Sequence, residues 1–185
     1  MPATPLDPRS ALVLIDLQKG IVAMPTAHPA AEVVARCAQL AAAFRARSLP
    51  VVLVNVAGGA PGRTDPQPPR PAPPADWAEL VPALGAQPGD IRITKKTWGA
   101  FTGTGLEAAL RERGVTQLVL AGIATSIGVE STARFASELG FNVTLVTDAM
   151  TDRDADAHAH SVTRIFPRLG ETAATQDVLQ LLEAR

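Results

Sequence analysis

Two charged side chains that follow predicted strands have the chemistry of an acid–base pair. Asp16 comes directly after the apolar run ALVLI at 11–15, and Lys95 follows the run IRIT at 91–94. Ligands of open parallel sheets bind beyond the carboxyl ends of the strands. A carboxylate and an ammonium that meet there either hold each other ionised or share a proton. An ordinary ion pair also fits these two residues, so the pair by itself does not establish catalysis.

Further polar residues stand at the predicted ends of neighbouring strands. Gln18 lies just beyond Asp16, Asn55 follows the second strand, residues 122–128 follow the fourth, and Asp148 follows the fifth. Gln18 is expected either to hydrogen-bond a substrate or to orient Asp16.

The elements that position these residues are short apolar runs alternating with longer segments of helical periodicity. Strands are predicted at 11–15, 51–54, 91–94, 118–121, 142–146 and 172–174. Helices are predicted at 30–47, 105–113, 127–139, 154–165 and 176–182. This alternation predicts a three-layer α/β/α fold, with a mostly parallel, Rossmann-like sheet of about six strands. With no internal repeat, residues 1–185 are expected to form a single domain.

Composition excludes several classes of function. The 185 residues carry a net charge of -1 and only 4% aromatic residues, which argues against nucleic-acid binding. Residues 1–10 lack the pattern of a signal peptide, and no apolar run is long enough to span a membrane. The lone Cys37 excludes an intramolecular disulfide, which is consistent with a reducing compartment, so a cytoplasmic location is expected.

Three segments, in chain order, resemble the motifs of isochorismatase-like hydrolases. LIDLQ at 14–18 is similar to their opening strand, TKKTWGAF at 94–101 to their second motif, and GIATSIGVESTA at 122–133 to their third. The resemblance spans about residues 9–182, and Asp148 matches the acidic turn after the fifth strand. It implies catalytic roles for Asp16 and Lys95, and a cis peptide bond between Ile123 and Ala124.

The chain departs from the usual pattern of that family at residue 128. Most members carry a nucleophilic cysteine there, whereas this chain has Gly128 and therefore no side chain for a covalent intermediate. Cys37 is expected in the core, and Ser126 lacks a histidine partner, so neither replaces it. The resemblance also implies an oxyanion hole formed by the backbone N–H groups of Ala124 and Gly128, which needs no cysteine.

A hydrolase can work without a cysteine thiol at residue 128. Isochorismatases proper, which cleave a vinyl ether, also carry glycine at this position, because protonation of an alkene carbon followed by water addition needs no nucleophilic side chain. They differ from this chain at Ala124 and Ser126, where they have an aromatic residue and a histidine. We expect a hydrolase of a small anionic molecule, with Asp16 as acid/base and Lys95 tuning its proton affinity. The alternative is a non-catalytic, ligand-binding member of the fold.

Several residues are predicted to bind the substrate. Besides Gln18, these are Arg63, Trp98, Phe101, Ala124 and Thr125. For Phe101 the alternative is a place in the core, and for Trp98 a subunit contact. Arg63 is preferred to Arg70 as a clamp for a carboxylate, although solvated arginines are the commoner case.

No metal and no cofactor are expected. His28, His158 and His160 are the three histidines, and the last two point to different faces of a helix. The glycine clusters do not match phosphate-binding loops. The expected partners are a small-molecule substrate and further copies of the chain, as a homodimer or higher homo-oligomer. The Gly- and Pro-rich segment 57–75 is expected to be a flap or a subunit arm.

Overall fold

The computed structural model describes residues 4–65 and 72–184 and contains one six-stranded sheet. The strand order is β3-β2-β1-β4-β5-β6, and every neighbouring pair is parallel. This confirms the predicted α/β architecture. The strands are β1 (Ser10–Ile15), β2 (Val51–Val56), β3 (Ile91–Lys95), β4 (Gln117–Ile123), β5 (Asn142–Thr151) and β6 (Glu171–Ala173).

Helices cover both faces of the sheet, which creates two separate cores. The helices are α1 (Lys19–Val22), α2 (Ala30–Ala46), α3 (Leu106–Glu112), α4 (Glu130–Glu138), α5 (Ala155–His160), α6 (Phe166–Leu169) and α7 (Thr175–Glu183). Leu40 of α2 and Leu182 of α7 pack on one face of the sheet. Leu110 of α3 and Phe166 of α6 pack on the other. Within the described ranges, no helix is both long and apolar enough to cross a membrane.

Two predicted helices begin or continue differently from the sequence-based expectation. A π-helical turn, Thr125–Val129, precedes α4, and a second one, Ser161–Ile165, separates α5 from α6. The helix predicted at 154–165 is therefore an α-helix as far as His160 and a π-helical turn from Ser161. β5 is also longer than predicted, since it continues to Thr151 through an irregular register with β4.

The carboxyl ends of β1 and β4 approach each other closely at Gly122. Its φ is +126°, a value that side-chain-bearing residues rarely adopt, and a Cβ built there would lie 2.2 Å from the carbonyl oxygen of Ile15. Glycine at 122 therefore lets the end of β4 lie directly beside the residue that precedes Asp16.

Candidate active site

Asp16 and Lys95 meet at the carboxyl ends of β1 and β3. Lys95 Nζ lies 2.8 Å from Asp16 Oδ2, and the two side chains are 2% and 7% exposed. Lys95 also donates to the carbonyl oxygen of Thr97 at 3.1 Å. Although β2 separates β1 from β3 in the sheet, the long lysine side chain reaches the carboxylate. The pair is a buried, hydrogen-bonded ion pair rather than a surface contact.

Burial dominates the electrostatics of Asp16. It raises the pKa of this carboxyl from 3.8 to about 6, while the charge and the hydrogen bond of Lys95 act in the opposite direction. Asp16 Oδ1 is buried and has no hydrogen-bond partner among the described residues. Asp16 also has a φ of 52°, an uncommon backbone conformation that is often found at functional sites.

A cavity of about 310 Å³ opens above this pair. Its polar lining comes from Asp16, Lys95, Thr26, Thr97 and Arg153. The remaining walls are largely apolar: Ile21, Met24, Val56, Trp77, Trp98, Ile123 and Ile127. Two larger grooves, of about 560 and 610 Å³, contain neither member of the pair; the first lies near the amino ends of β2 and β3. The small cavity is therefore the candidate active site.

Gly128 lies directly against the ion pair of Asp16 and Lys95. A Cβ built on it would stand 3.2 Å from Asp16 Oδ2 and 2.8 Å from Ile15 Cγ2. The peptide bond between Ile123 and Ala124, at the end of β4, is cis, as the family resemblance implies. Ala124 and Gly128 both line the cavity, at the two ends of the same turn.

Trp77, just after the Gly- and Pro-rich segment 57–75, forms part of the cavity wall. Gly20 N–H donates to the carbonyl oxygen of Trp77 at 3.0 Å, and a Cβ on Gly20 would lie only 1.9 Å from Trp77 Cδ1. Lys19 holds the same segment through ion pairs with Asp76 and Glu79, at 3.0 and 2.7 Å. Gly20 is thus the residue that allows the indole ring to lie flush against α1.

Comparison with known proteins places this geometry in a family. The model of the isochorismatase domain matches residues 10–177. The chain belongs to the isochorismatase family. An isochorismatase family protein of Burkholderia thailandensis superposes with a TM-score of 0.92 at 48% identity, covering 98% of both chains. The isochorismatase family protein YecD of Escherichia coli O157:H7 is 45% identical over 180 residues, which cover 94% of this chain and 96% of the relative.

The family includes enzymes that hydrolyse amides. The N-carbamoylsarcosine amidase of Thermoplasma acidophilum superposes with a TM-score of 0.73 at 26% identity, covering 90% of this chain and 96% of its own. The isochorismatase family is thus a family of hydrolases, and this member shares its fold and its domain over nearly the whole chain.

Five of the residues expected around the cavity of this isochorismatase-family protein do line it. These are Asp16, Lys95, Trp98, Ala124 and Gly128. Trp98 is 65% exposed at the mouth of the cavity, so one edge of its ring is also open to solvent or to another molecule.

Gln18, predicted either to contact the substrate or to orient Asp16, does not line the cavity. Its side chain is fully buried, with the amide donating to the carbonyl oxygens of Val56 and Trp77 and accepting from Val56 N–H at 2.8 Å. These bonds join β1, β2 and the segment bearing Trp77. Gln18 therefore fixes the cavity wall from behind.

Phe101 and Thr125 also face away from the cavity, in contrast to their predicted binding roles. Phe101 is buried in the core and stacks on Phe141, with ring centroids 6.1 Å apart. Thr125 is fully buried, and its Oγ1 lies 2.9 Å from Nδ1 of His158. Burial and the neighbouring His28 hold the pKa of His158 below its usual value. Thr125 thus contacts His158 and not the cavity.

Arg63, predicted to bind a substrate carboxylate, is not at the cavity either. Arg63 is exposed and does not line the cavity, and Arg70 lies outside the described residues. Arg153 lines the cavity instead, immediately after β5. Sequence reasoning missed it because the predicted fifth strand stopped at Val146, five residues before its actual end.

Two other acidic residues have structural roles. Asp148 Oδ1 accepts from the N–H and hydroxyl of Thr175, at the start of α7, and its carboxylate also pairs with Arg36. Asp152 is buried and accepts from Ser126. Within residues 4–65 and 72–184, no three His, Cys, Asp or Glu side chains form a group that could hold a metal ion.

Proposed function

We propose that this protein hydrolyses a small anionic molecule with Asp16 as acid/base, assisted by Lys95 and without a nucleophilic side chain at residue 128. The observation that carries the proposal is the buried Asp16 carboxyl, which has a pKa of about 6 and a buried, unpartnered Oδ1, in a residue that lines a small cavity. A general acid works best when its pKa lies near the operating pH.

The two oxygens of Asp16 have different partners, which supports a direction for proton transfer. Lys95 donates to Oδ2 at 2.8 Å, and an ammonium can only donate. The proton of a neutral Asp16 therefore resides on Oδ1, the oxygen that no described residue contacts. Oδ1 is the atom from which a substrate would receive it, and Lys95 then stabilises the carboxylate that remains.

Gly128 favours a reaction in which water is the nucleophile. If Asp16 Oδ1 protonates the alkene carbon of a vinyl ether, an oxocarbenium ion forms, and water adds to its carbon. The added water returns one proton to Asp16, and the resulting hemiketal collapses to a carbonyl compound and an alcohol. Because residue 128 has no side chain, no thiol or other group of that residue stands beside the Asp16 carboxylate, from which a Cβ there would be 3.2 Å away. For an amide or ester substrate, whose carbonyl oxygen gains negative charge when water adds, the backbone N–H groups of Ala124 and Gly128 are proposed as donors.

Arg153 supports an anionic substrate. It lines the cavity, and no ion pair of its guanidinium with a carboxylate exists among the described residues. Lys95, in contrast, already donates to Asp16 Oδ2 at 2.8 Å. A carboxylate on the substrate would pair with the free guanidinium through two parallel hydrogen bonds, while the apolar walls hold the rest of the molecule.

The test is turnover by Asp16→Asn across a panel of carboxylate-bearing vinyl ethers, amides and esters. Amides belong in the panel because a related structure is that of an amidase. The variant should lose at least a hundredfold in kcat/KM on any substrate that the wild type hydrolyses. Asp156→Asn, which removes an exposed carboxylate at the start of α5, is the matched control and should keep full activity. Turnover that survives Asp16→Asn would refute the assigned role.

Binding without turnover would identify the alternative, a non-catalytic ligand-binding protein. The chain has two tryptophans and no tyrosine, and both tryptophans line the cavity. Intrinsic fluorescence therefore reports on this cavity alone. Ligands that change the fluorescence, with no hydrolysis of any panel member by the wild type, would favour that alternative.

A further inference from the structure

One buried residue, Asp152, holds three segments of the cavity wall together through its carboxylate and its backbone carbonyl. Asp152 is 3% exposed and follows β5 directly. Its Oδ2 accepts from Ser126 N–H at 2.7 Å and from Ser126 Oγ at 2.8 Å, and its Oδ1 accepts from Arg153 N–H at 2.7 Å. Its carbonyl oxygen accepts from Ala27 N–H at 2.7 Å.

Each of these bonds fixes a segment that reaches the cavity. Thr26 precedes Ala27, and both Gly128 and Arg153 line the same space. Asp152 itself does not line it. Its effect on a ligand must therefore pass through the residues that it holds.

The turn that contains Gly128 needs such a partner because its own sequence supplies none. The first N–H groups of a helical turn have no partner within the turn. Ala124, the residue before this turn, makes no side-chain hydrogen bond to it. Asp152 replaces the missing cap from another strand, and its negative charge suits the positive amino-terminal end of the turn.

We propose that Asp152 is a positioning residue that fixes the position of the turn containing Gly128 relative to that of Arg153. The reacting end of the cavity and its anion-binding end are then held by the two oxygens of one carboxylate. The part that concerns Arg153 rests on the proposed function, since it takes this guanidinium to bind the anionic group of the substrate.

The proposal predicts what happens when one oxygen of this carboxylate becomes an amide nitrogen. Asp152→Asn keeps the shape of the side chain, but its nitrogen cannot accept a hydrogen bond. Either Ser126 N–H or Arg153 N–H then faces another donor. The turn and the arginine can no longer both keep their positions.

The test compares benzoate with benzamide, a charged and a neutral probe of nearly the same shape, by tryptophan fluorescence titration. Wild type should bind benzoate at least about tenfold more tightly, and Arg153→Ala should abolish that preference. Asp152→Asn should reduce it at least about fivefold, and the double variant should show no further loss beyond Arg153→Ala. Ser126→Ala removes one bond to the same carboxylate but leaves Arg153 N–H its acceptor, so it should keep the preference.

Asp152→Ser provides a second variant should the asparagine variant fail to fold, because a hydroxyl accepts one of the two N–H groups and adds no fixed donor. Loss of preference in either folded variant, non-additive with Arg153→Ala, supports the positioning role. A preference that is lost in Arg153→Ala but intact in the Asp152 variants overturns it. A wild type that binds both probes equally overturns the anion assignment as well, whereas the acid role of Asp16 is tested separately by turnover.

Discussion

The Cβ that Gly128 lacks would lie 3.2 Å from Oδ2 of Asp16, the oxygen that already accepts from Lys95. Any side chain at residue 128 would therefore be the immediate neighbour of the ion pair. This relationship explains how one substitution could change the chemistry of the cavity without changing its charged residues.

Gly128→Cys should lower stability and create a reactive thiol. Ile15 Cγ2 would lie 2.8 Å from the new Cβ, so a buried side chain must shift, at a cost of about 1–3 kcal/mol. Thiol labelling should be fast in this variant and slow in wild type, because burial raises the pKa of the Cys37 thiol. Gly128→Ala is the control for crowding: it should lower the melting temperature similarly without any labelling.

Amide hydrolysis gained only by Gly128→Cys would show that the rest of the cavity is complete around the missing nucleophile. Slow labelling of Gly128→Cys, at the wild-type rate, would show instead that the cavity does not expose residue 128.

Asp16 should make the protein less stable as pH rises. Its folded pKa of about 6 exceeds the ordinary value of 3.8, so the folded state binds the proton more tightly than the unfolded state. The stability that this contributes is complete below the unfolded value and is lost as pH rises through about 6. At about 1.4 kcal/mol per pKa unit, the wild type should lose about 2–3 kcal/mol relative to Asp16→Asn between pH 4 and 7.

Urea unfolding of both proteins at several pH values measures this difference, and other titrating groups cancel in the comparison. A difference that stays constant with pH would show that the Asp16 carboxyl is not perturbed by folding. The same titration should appear in kcat/KM, which should fall above about pH 6 if the protonated carboxyl is the acid.

Lys95→Met should be strongly destabilising at pH 8 and much less so at pH 5. Removing the ammonium leaves Asp16 as a buried carboxylate without a counter-charge, which costs about 3–5 kcal/mol. At pH 5 the carboxyl is protonated and the loss is small. Lys96→Met changes the exposed neighbouring lysine and should have little effect at either pH. Equal destabilisation by Lys95→Met at both pH values would contradict a buried ion pair.

Gly20→Ala should disturb the cavity wall although residue 20 carries no functional group. The added methyl would overlap the ring of Trp77, at 1.9 Å from Cδ1, and force it out of place. We expect a loss of about 1–3 kcal/mol and a shifted tryptophan emission maximum. Trp77→Leu should remove most of the penalty, so that the double variant is more stable than the sum of the single changes predicts. Strict additivity would mean that the indole is not held by this contact.

The sequence predicted the sheet and the charged pair because both depend on local patterns. Asp16 and Lys95 each follow an apolar run, and parallel strands bring such positions to one edge. The direction of single side chains could not be inferred in the same way. Gln18 lies two residues after Asp16 yet turns to buried backbone groups of β2, whose need for partners appears only in three dimensions.

The missed residues come from segments whose patterns are weak. Trp77 follows a proline-rich stretch, and its contacts with Gly20 and Gln18, which the sequence does not indicate, show that this part of the chain returns to the site. Arg153 follows an irregular strand end, where β5 shifts its register against β4 and continues to Thr151. The polar residues after Val146 ended the predicted strand, although Met150 and Thr151 beyond them are buried.

The contact of Gly122 with the carbonyl oxygen of Ile15 restricts how this cavity can be redesigned. A methyl group at 122 would collide with the backbone itself, at 2.2 Å, and no alternative rotamer of a neighbour could make room. Libraries that aim to change substrate preference can therefore vary the apolar walls freely, but they should hold this one position constant. Variants with any other residue at 122 would be unable to pair the ends of β1 and β4, the two central strands.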